Sequence, residues 1–233
     1  MTSPKSPRIV GGHLALDLVN TVAPRTPNPH EHEDYLATPA QLLEWSRRVQ
    51  LLSDDEADAV AAAWAVSPGA DEQALRTVWQ IREATYRTLA AALTVDGDRV
   101  ETLDALSQLF LHWIAALGRG SLAPAGVLSA ALRLPADAAK PADRWGVAQV
   151  RYGQVPTWLL QDRLAAASIA LLQSIDVRQL KACPVDEGGC GWLFLDRSRN
   201  GSRRWCTMED CGAHAKARRL TERRRRAATT KGV

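Results

Sequence analysis

The 233 residues carry a net charge of +3, with 46% hydrophobic and 24% charged positions, which is enough apolar material for one large packed domain or two small ones. No apolar run approaches the roughly 18 residues that a bilayer-spanning helix needs. Met1 to Arg8 is polar, holds two prolines and lacks the apolar stretch of a secretory signal, so a cytoplasmic protein with no membrane partner is expected. The charge is unevenly spread: residues 1–196 hold 17 Lys/Arg against 23 Asp/Glu, while residues 197–233 hold 12 against 3. A mildly acidic body with a strongly basic end implies two separate jobs, and the basic end suits a polyanion or an acidic membrane surface.

In chain order, Ile9–Asn20 comes first, where Leu14, Leu16 and Leu18 alternate with other residues and predict a short strand. Ala23 to Tyr35, with three prolines and two histidines, predicts a loop. Thr38-Pro39-Ala40-Gln41 and Ser53-Asp54-Asp55-Glu56 read as capping boxes opening two helices, the first with proline at its first position. A long helix is predicted from about Asp71 to Leu93, with Leu75, Val78, Trp79, Tyr86, Leu89, Ala90 and Leu93 as its apolar stripe. A second covers about Arg99–Leu117, with Leu103, Leu106, Phe110 and Trp113 on the apolar side. Gly118 to Val155 has short apolar runs (Val127–Leu134 and Gly146–Tyr152) broken by proline and glycine, which predicts a small hairpin or irregular strands. Thr157 to Ser174 predicts the last helix of the body.

All four cysteines fall late in the chain: Cys183, Cys190, Cys206 and Cys211. Core cysteines would be scattered, and a disulfide framework would be unusual in a reducing compartment. Two short-spaced pairs can supply the four tetrahedral corners that Zn²⁺ wants. Glycines at 188, 189, 191 and 212 sit beside them, where tight turns need unusual dihedrals. Trp192-Leu193-Phe194-Leu195 and Trp205 can form a miniature core. Four thiolates fill every position and leave none for a catalytic water, which favours a structural ion; a thiol redox switch or unrelated free thiols are the other readings. His214, three residues after Cys211, could compete as a ligand or be an exposed helix residue.

The segment Cys183-Pro184, then Cys190-Gly191-Trp192-Leu193-Phe194-Leu195-Asp196-Arg197-Ser198-Arg199-Asn200, then Arg203-Arg204-Trp205-Cys206-Thr207-Met208 and Cys211-Gly212, resembles the CGNR zinc-finger family. Gly12-His13-Leu14-Ala15-Leu16-Asp17-Leu18-Val19-Asn20-Thr21 is similar to the start of the helical ABATE domain that precedes this module in that family. The resemblance implies a stress-induced transcription regulator whose zinc module binds DNA, with the four cysteines as ligands. The family's name motif, Cys-Gly-Asn-Arg, stands here as Cys211-Gly212-Ala213-His214.

After Gly212 the chain runs into alanine, lysine and arginine, which favour helix. Lys216, Arg219, Arg223 and Arg226 would then line one face and could follow a phosphate backbone. Between the cysteine pairs, Arg199, Asn200, Arg203 and Arg204 are candidates for base or phosphate contact. The plain alternative for such a charge run is a solvated face, and for Trp205, which could stack on a base, packing against the metal site.

Within the body, His13, Asp17, Asn20 and Arg82 are the candidates for binding a small-molecule ligand in a pocket between strand and helices; the alternative is that they cap helices and satisfy buried backbone. His30-Glu31-His32-Glu33-Asp34 has metal-like composition in a proline-rich loop. No Gly-rich phosphate loop, Gly-x-Ser-x-Gly elbow or His-Glu-x-x-His pair is present, and no enzyme is expected.

The expected fold is mainly α (α+β): a multihelical ABATE-like domain over 1–178 with a short N-terminal strand and small β elements, a zinc-ribbon-like module with basic helix over 179–226, and a flexible tail over 227–233. The expected function is a DNA-binding transcription regulator whose body senses a ligand or forms a homodimer. The alternatives are an RNA-binding or protein-interaction protein on a zinc scaffold, or an enzyme with its site in the helical body.

Overall fold

The computed structural model describes residues 7–25, 32–94, 98–125 and 147–230, the last seven of these by backbone alone. Among them the architecture is mainly helical, with three small antiparallel strand pairs and a C-terminal cluster of cysteines. No helix among the described residues is long and apolar enough to cross a membrane.

The first element corrects the expectation for Ile9–Asn20. It is a helix, α1 (Leu14–Val19), capped by His13, whose Nδ1 accepts from the Ala15 N–H. Ala15, Leu16, Leu18 and Val19 are all fully buried. A helix buried on every side has no polar face, so its apolar residues carry no 3.6-residue period, and three leucines at alternate positions mimic a strand. The segment after it contains β1 (Val22–Ala23) and β2 (Glu33–Asp34), which pair antiparallel with Val22 opposite Asp34.

Helices α2 (Pro39–Arg48) and α3 (Asp54–Ala65) open on both predicted capping boxes: Thr38 and Gln41, then Ser53 and Glu56, exchange side-chain and backbone hydrogen bonds. Helices α4 (Ala70–Ala91), α5 (Arg99–Gly118) and α6 (Leu159–Ser174) pack against one another. Around them lies the main core, with Leu18, Leu42, Trp45, Val60, Val78, Ile81, Leu109, Leu160 and Leu164.

The predicted apolar side of α5 is not its buried side. Leu103 is 52% exposed and Phe110 50%, while Ala105, Leu109 and Ala116 are buried. Small side chains let α5 approach its neighbours closely, so the alanine-rich stripe takes the interface and the bulky one turns outward. Trp113 is half-buried and donates to the Tyr152 hydroxyl. The expected hairpin is present as β3 (Ser121–Pro124) and β4 (Ala148–Arg151), Ser121 opposite Arg151. The run Val127–Leu134 lies outside the described residues, as do His30 and Glu31.

Strands β5 (Leu180–Ala182) and β6 (Leu193–Leu195) pair antiparallel, Leu180 opposite Leu195. They form a second core with α1, α4 and α6 through Ala15, Leu16, Val19, Leu89, Leu171, Leu180, Leu193 and Leu195. The start of the chain also pairs with them through its polar groups. The Leu195 N–H donates to Gly11 O at 2.9 Å. The Asn20 amide donates to Leu193 O at 2.8 Å and accepts from Leu193 N at 3.0 Å, so a side chain continues the β ladder. The Trp192 indole donates to Val22 O at 2.7 Å. The last helix, α7 (Ala213–Thr230), follows a single π-helical turn over Met208–Gly212.

Candidate metal centre

The β5–β6 pair brings the first two cysteines together. Cys183 leaves β5 with its N–H on Trp192 O at 2.8 Å, and the chain returns through a turn in which Gly189 N donates to Pro184 O and Gly191 N to Cys183 O. Two glycines are required there. A Cβ on Gly189 would lie 2.7 Å from Cys183 Sγ and 2.6 Å from Pro184 O. Gly191 has φ of +75°, and its Cβ would lie 2.4 Å from Arg25 O.

The second pair is positioned by a loop wound on Asp196. This carboxylate accepts from Ser198 N (2.9 Å) and Oγ (2.6 Å), from Arg203 N (2.9 Å) and from Lys181 Nζ (2.6 Å). The Lys181 ammonium and the Ser198 hydroxyl hold its pKa well below the usual carboxylate range. Lys181 also donates to the Gly201 and Arg203 carbonyls. Thr207 then caps the π turn, with its hydroxyl accepting from Asp210 N at 3.3 Å and its carbonyl from Gly212 N at 3.1 Å. Cys211 sits in that turn, at the entrance to the basic helix.

The four sulfurs all lie within 4.8 Å of one another, with Cys190 to Cys206 at 3.4 Å and Cys206 to Cys211 at 3.6 Å. A tetrahedral Zn²⁺ with Zn–S bonds of about 2.3 Å needs sulfur–sulfur edges of about 3.8 Å, so the cage has the right size. All four cysteines are free, and Cys183, Cys206 and Cys211 are buried. Their mutual hydrogen bonds split the thiols. Cys183 is pulled down, by Cys190 first, while Cys183 pushes Cys190 and Cys206 up. A cluster this tight cannot carry four thiolates unless a cation sits among them, which is the condition zinc meets. Trp192, Phe194, Trp205 and Ala215 close a miniature core around the sulfurs, so Trp205 packs rather than presents a face for base stacking. His214 is exposed and lies outside the sulfur cluster.

Two family models match the chain: the CGNR zinc finger over residues 179–224, and ABATE, described as "Putative stress-induced transcription regulator", over residues 12–175. The chain belongs to the ABATE family. Its C-terminal part is a CGNR zinc finger that binds zinc, and at family level the protein is a transcription regulator. No curated protein matches it.

The basic residues of this ABATE–CGNR chain divide into two sets. Arg203 is turned inward, onto backbone carbonyls and the Phe194 ring. Its guanidinium lies 4.2 Å over the Phe194 ring and donates to Trp205 O, Cys206 O and Val10 O, so it is a brace across the metal site. Arg199 and Asn200 are exposed at the loop tip, and Lys216 and Arg223 are exposed on α7. Arg204 and Arg219 reach from two different elements to the same carboxylate, Glu187, Arg219 at 2.5 Å. Arg218 donates to Asp186 O at 2.7 Å, beside them. The Arg226 side chain lies outside the described ones.

The four ligand candidates in the body each have partners within the protein. His13 caps α1. Asp17 accepts from Val10 N and Gly11 N, and burial raises its pKa. Asn20 is spent on Leu193. Arg82 is 4% exposed and holds Asp34 through both terminal guanidinium nitrogens at 2.8 Å, with Thr21 and Glu83 as further partners. Each is satisfied inside the protein, and no cavity described here gathers them. Asp196, Lys181 and Glu187 escaped the sequence reading. Only Asp196 left a trace there, in the turn-forming pattern Asp196-Arg197-Ser198.

Proposed function

We propose that this transcription regulator binds DNA through the zinc finger and α7, with Cys183, Cys190, Cys206 and Cys211 as the zinc ligands. The observation that carries the reading is the convergence of Arg204 and Arg219 on Glu187. It joins the loop between the ligand pairs to the basic helix, so that both present one cationic surface whose base is pinned by Cys211. Arg199, Asn200, Arg204, Lys216, Arg219 and Arg223 are the proposed contacts. Arg226 continues their spacing along α7. Phosphates supply affinity, and Arg199 and Asn200 at the loop tip are the groups suited to base edges. The helical body is the input side, sensing a ligand or joining two copies so that paired half-sites can be read.

Titration of duplex DNA by fluorescence anisotropy at several salt concentrations tests this. With about 4 to 6 phosphate contacts, log affinity falls against log salt with a slope of about −4 to −5. Lys216→Ala and Arg223→Ala each reduce that slope by about 1, and a chelator abolishes binding. A flat salt response, or binding that survives complete zinc removal, would sink the reading. Equal affinity for single-stranded RNA would move it to the RNA-binding class.

A further inference from the structure

Helix α5 has two apolar sides, and the fold uses one of them. Ala105, Leu109 and Ala116 are buried, on the side where α5 meets α4 and α6, while Val100, Leu103, Leu106, Phe110, Leu111 and Ile114 are between 38% and 69% exposed. These exposed residues are not scattered. Val100, Ser107 and Ile114 are seven apart, and so are Leu103, Phe110 and Leu117, which makes one stripe with the 3–4 spacing of a helix–helix seam. The stripe continues onto the β3–β4 hairpin. The Phe110 and Trp113 ring centroids are 6.0 Å apart, the Trp113 indole donates to the Tyr152 hydroxyl, and strand alternation gives Tyr152 and Val150 a common face. Val150 pairs with Leu122, and both are exposed. Eight large apolar side chains left about half exposed offer on the order of 800 Å² per copy, which is what a standard interface takes from each partner and more than a monomer leaves in one patch.

This surface is complementary to itself when reversed. Ser107 is the midpoint between Val100 and Ile114. Its side chain is small, so two helices crossing there approach closely, and its hydroxyl already donates to Leu103 O at 2.8 Å, so covering it strands no polar group. The charges match only in the antiparallel sense. The first half of α5 opens on Asp98, Glu101 and Asp104 against Arg99, and its second half holds no acidic residue. Beyond its far end lies the exposed Arg151, whose carbonyl oxygen abuts Gly120. In a reversed pair each acidic half faces the partner's cationic end, and each Arg99 comes to the C-terminus of the other α5, where a cation is favoured. In a parallel pair, acid meets acid and Arg99 meets Arg99.

We propose that two copies of this chain join through the outer stripe of α5, antiparallel, with the two-fold axis at Ser107. Such an axis sets the same patch against itself, so one stripe supplies both sides of the interface. The surface rests on the reading of the body as joining two copies, and it assigns that task to named residues.

Sedimentation velocity of the zinc-loaded full chain, without DNA, gives the first readout. In the high micromolar range the parent sediments with twice the 25.4 kDa of one chain. Phe110→Glu and Leu111→Glu, both at exposed positions, each weaken association by about 100-fold or more, while Val66→Glu, at an exposed position outside the stripe, leaves it unchanged. Zinc content and a cooperative unfolding transition show that each variant is folded. Cross-linking with a short bismaleimide, in protein whose own cysteines hold zinc, gives the orientation. Ser107→Cys is joined to its copy. Val100→Cys is not, because its copies lie about 20 Å apart in an antiparallel pair. A single copy throughout the high micromolar range, whatever then covers the stripe, overturns the proposal. So does a dimer that persists in Phe110→Glu or Leu111→Glu, or cross-linking at Val100→Cys that equals or exceeds that at Ser107→Cys. Duplex affinity is measured separately on the same proteins: a monomer that binds DNA strikes this surface alone, and a dimer that does not bind DNA strikes the zinc-finger reading alone.

Discussion

Asn20 joins the two ends of the chain at a single amide. It gives Leu193 both a donor and an acceptor, and all of these groups are buried. Asn20→Leu keeps the volume but strands the Leu193 N–H and C=O, each costing about 1–3 kcal/mol when unsatisfied. We expect a loss of about 2–4 kcal/mol in urea unfolding, and a loss below about 0.5 kcal/mol would show that water replaces the amide. Gly189→Ala acts on the metal instead: its methyl carbon would press on Cys183 Sγ, so a chelator should strip zinc from this variant faster than from the parent, followed with a colorimetric zinc indicator. The cysteines were readable in the sequence because metal ligation is imposed by residue type and spacing. His13, Asp17, Asn20 and Arg82 were readable only as polar residues in apolar surroundings, since their partners Gly11, Leu193 and Asp34 are brought to them by the fold. For the same reason Arg203 is one arginine among several in the sequence, since its carbonyl partners meet only in the fold.

Helix starts were clear in the sequence, and helix faces were not. Both capping boxes form where the pattern puts them, because capping depends on residues three apart. The buried face of α5 is not legible from side-chain size, because alanines give a closer helix contact. The cap of α3 has a second task. Glu56 bonds the Ser53 N–H and pairs with Arg163 of α6. Arg163 first, helped by Ser53 and opposed by burial, lowers the Glu56 pKa from its usual 4.5. A carboxyl with a lowered folded-state pKa stabilises the fold at pH values above its usual one, and this is lost as pH falls through the lowered value. Glu56→Gln retains a capping side chain but has no such titration. The thermal midpoint of the parent protein should therefore exceed that of Glu56→Gln at pH 7, with the gap closing below pH 4.5. A gap that is constant from pH 7 to pH 3 would remove the ion pair from the account.

At the scale of the whole molecule, the two family models cover residues 12–175 and 179–224, and we propose that the boundary between them divides sequence rather than folding. Leu193 and Leu195 share a core with Ala15, Leu16 and Leu171, and Arg203 bonds Val10 O. An excised 179–226 fragment should bind zinc through its cysteines yet show broad, uncooperative thermal unfolding, and a sharp transition at the parent's midpoint would refute this. The charge asymmetry and the fold class were visible in composition and helix signals; the interlocking of the two ends was not, because it is carried by contacts more than 170 residues apart, such as Asn20 to Leu193. This arrangement bears on how the protein is made. Helix α1 is made more than 170 residues before β6, the strand that covers part of its apolar surface. Helices α4 and α6 can close over α1 earlier, but the patch that Leu193 and Leu195 cover stays open to water until those residues are made.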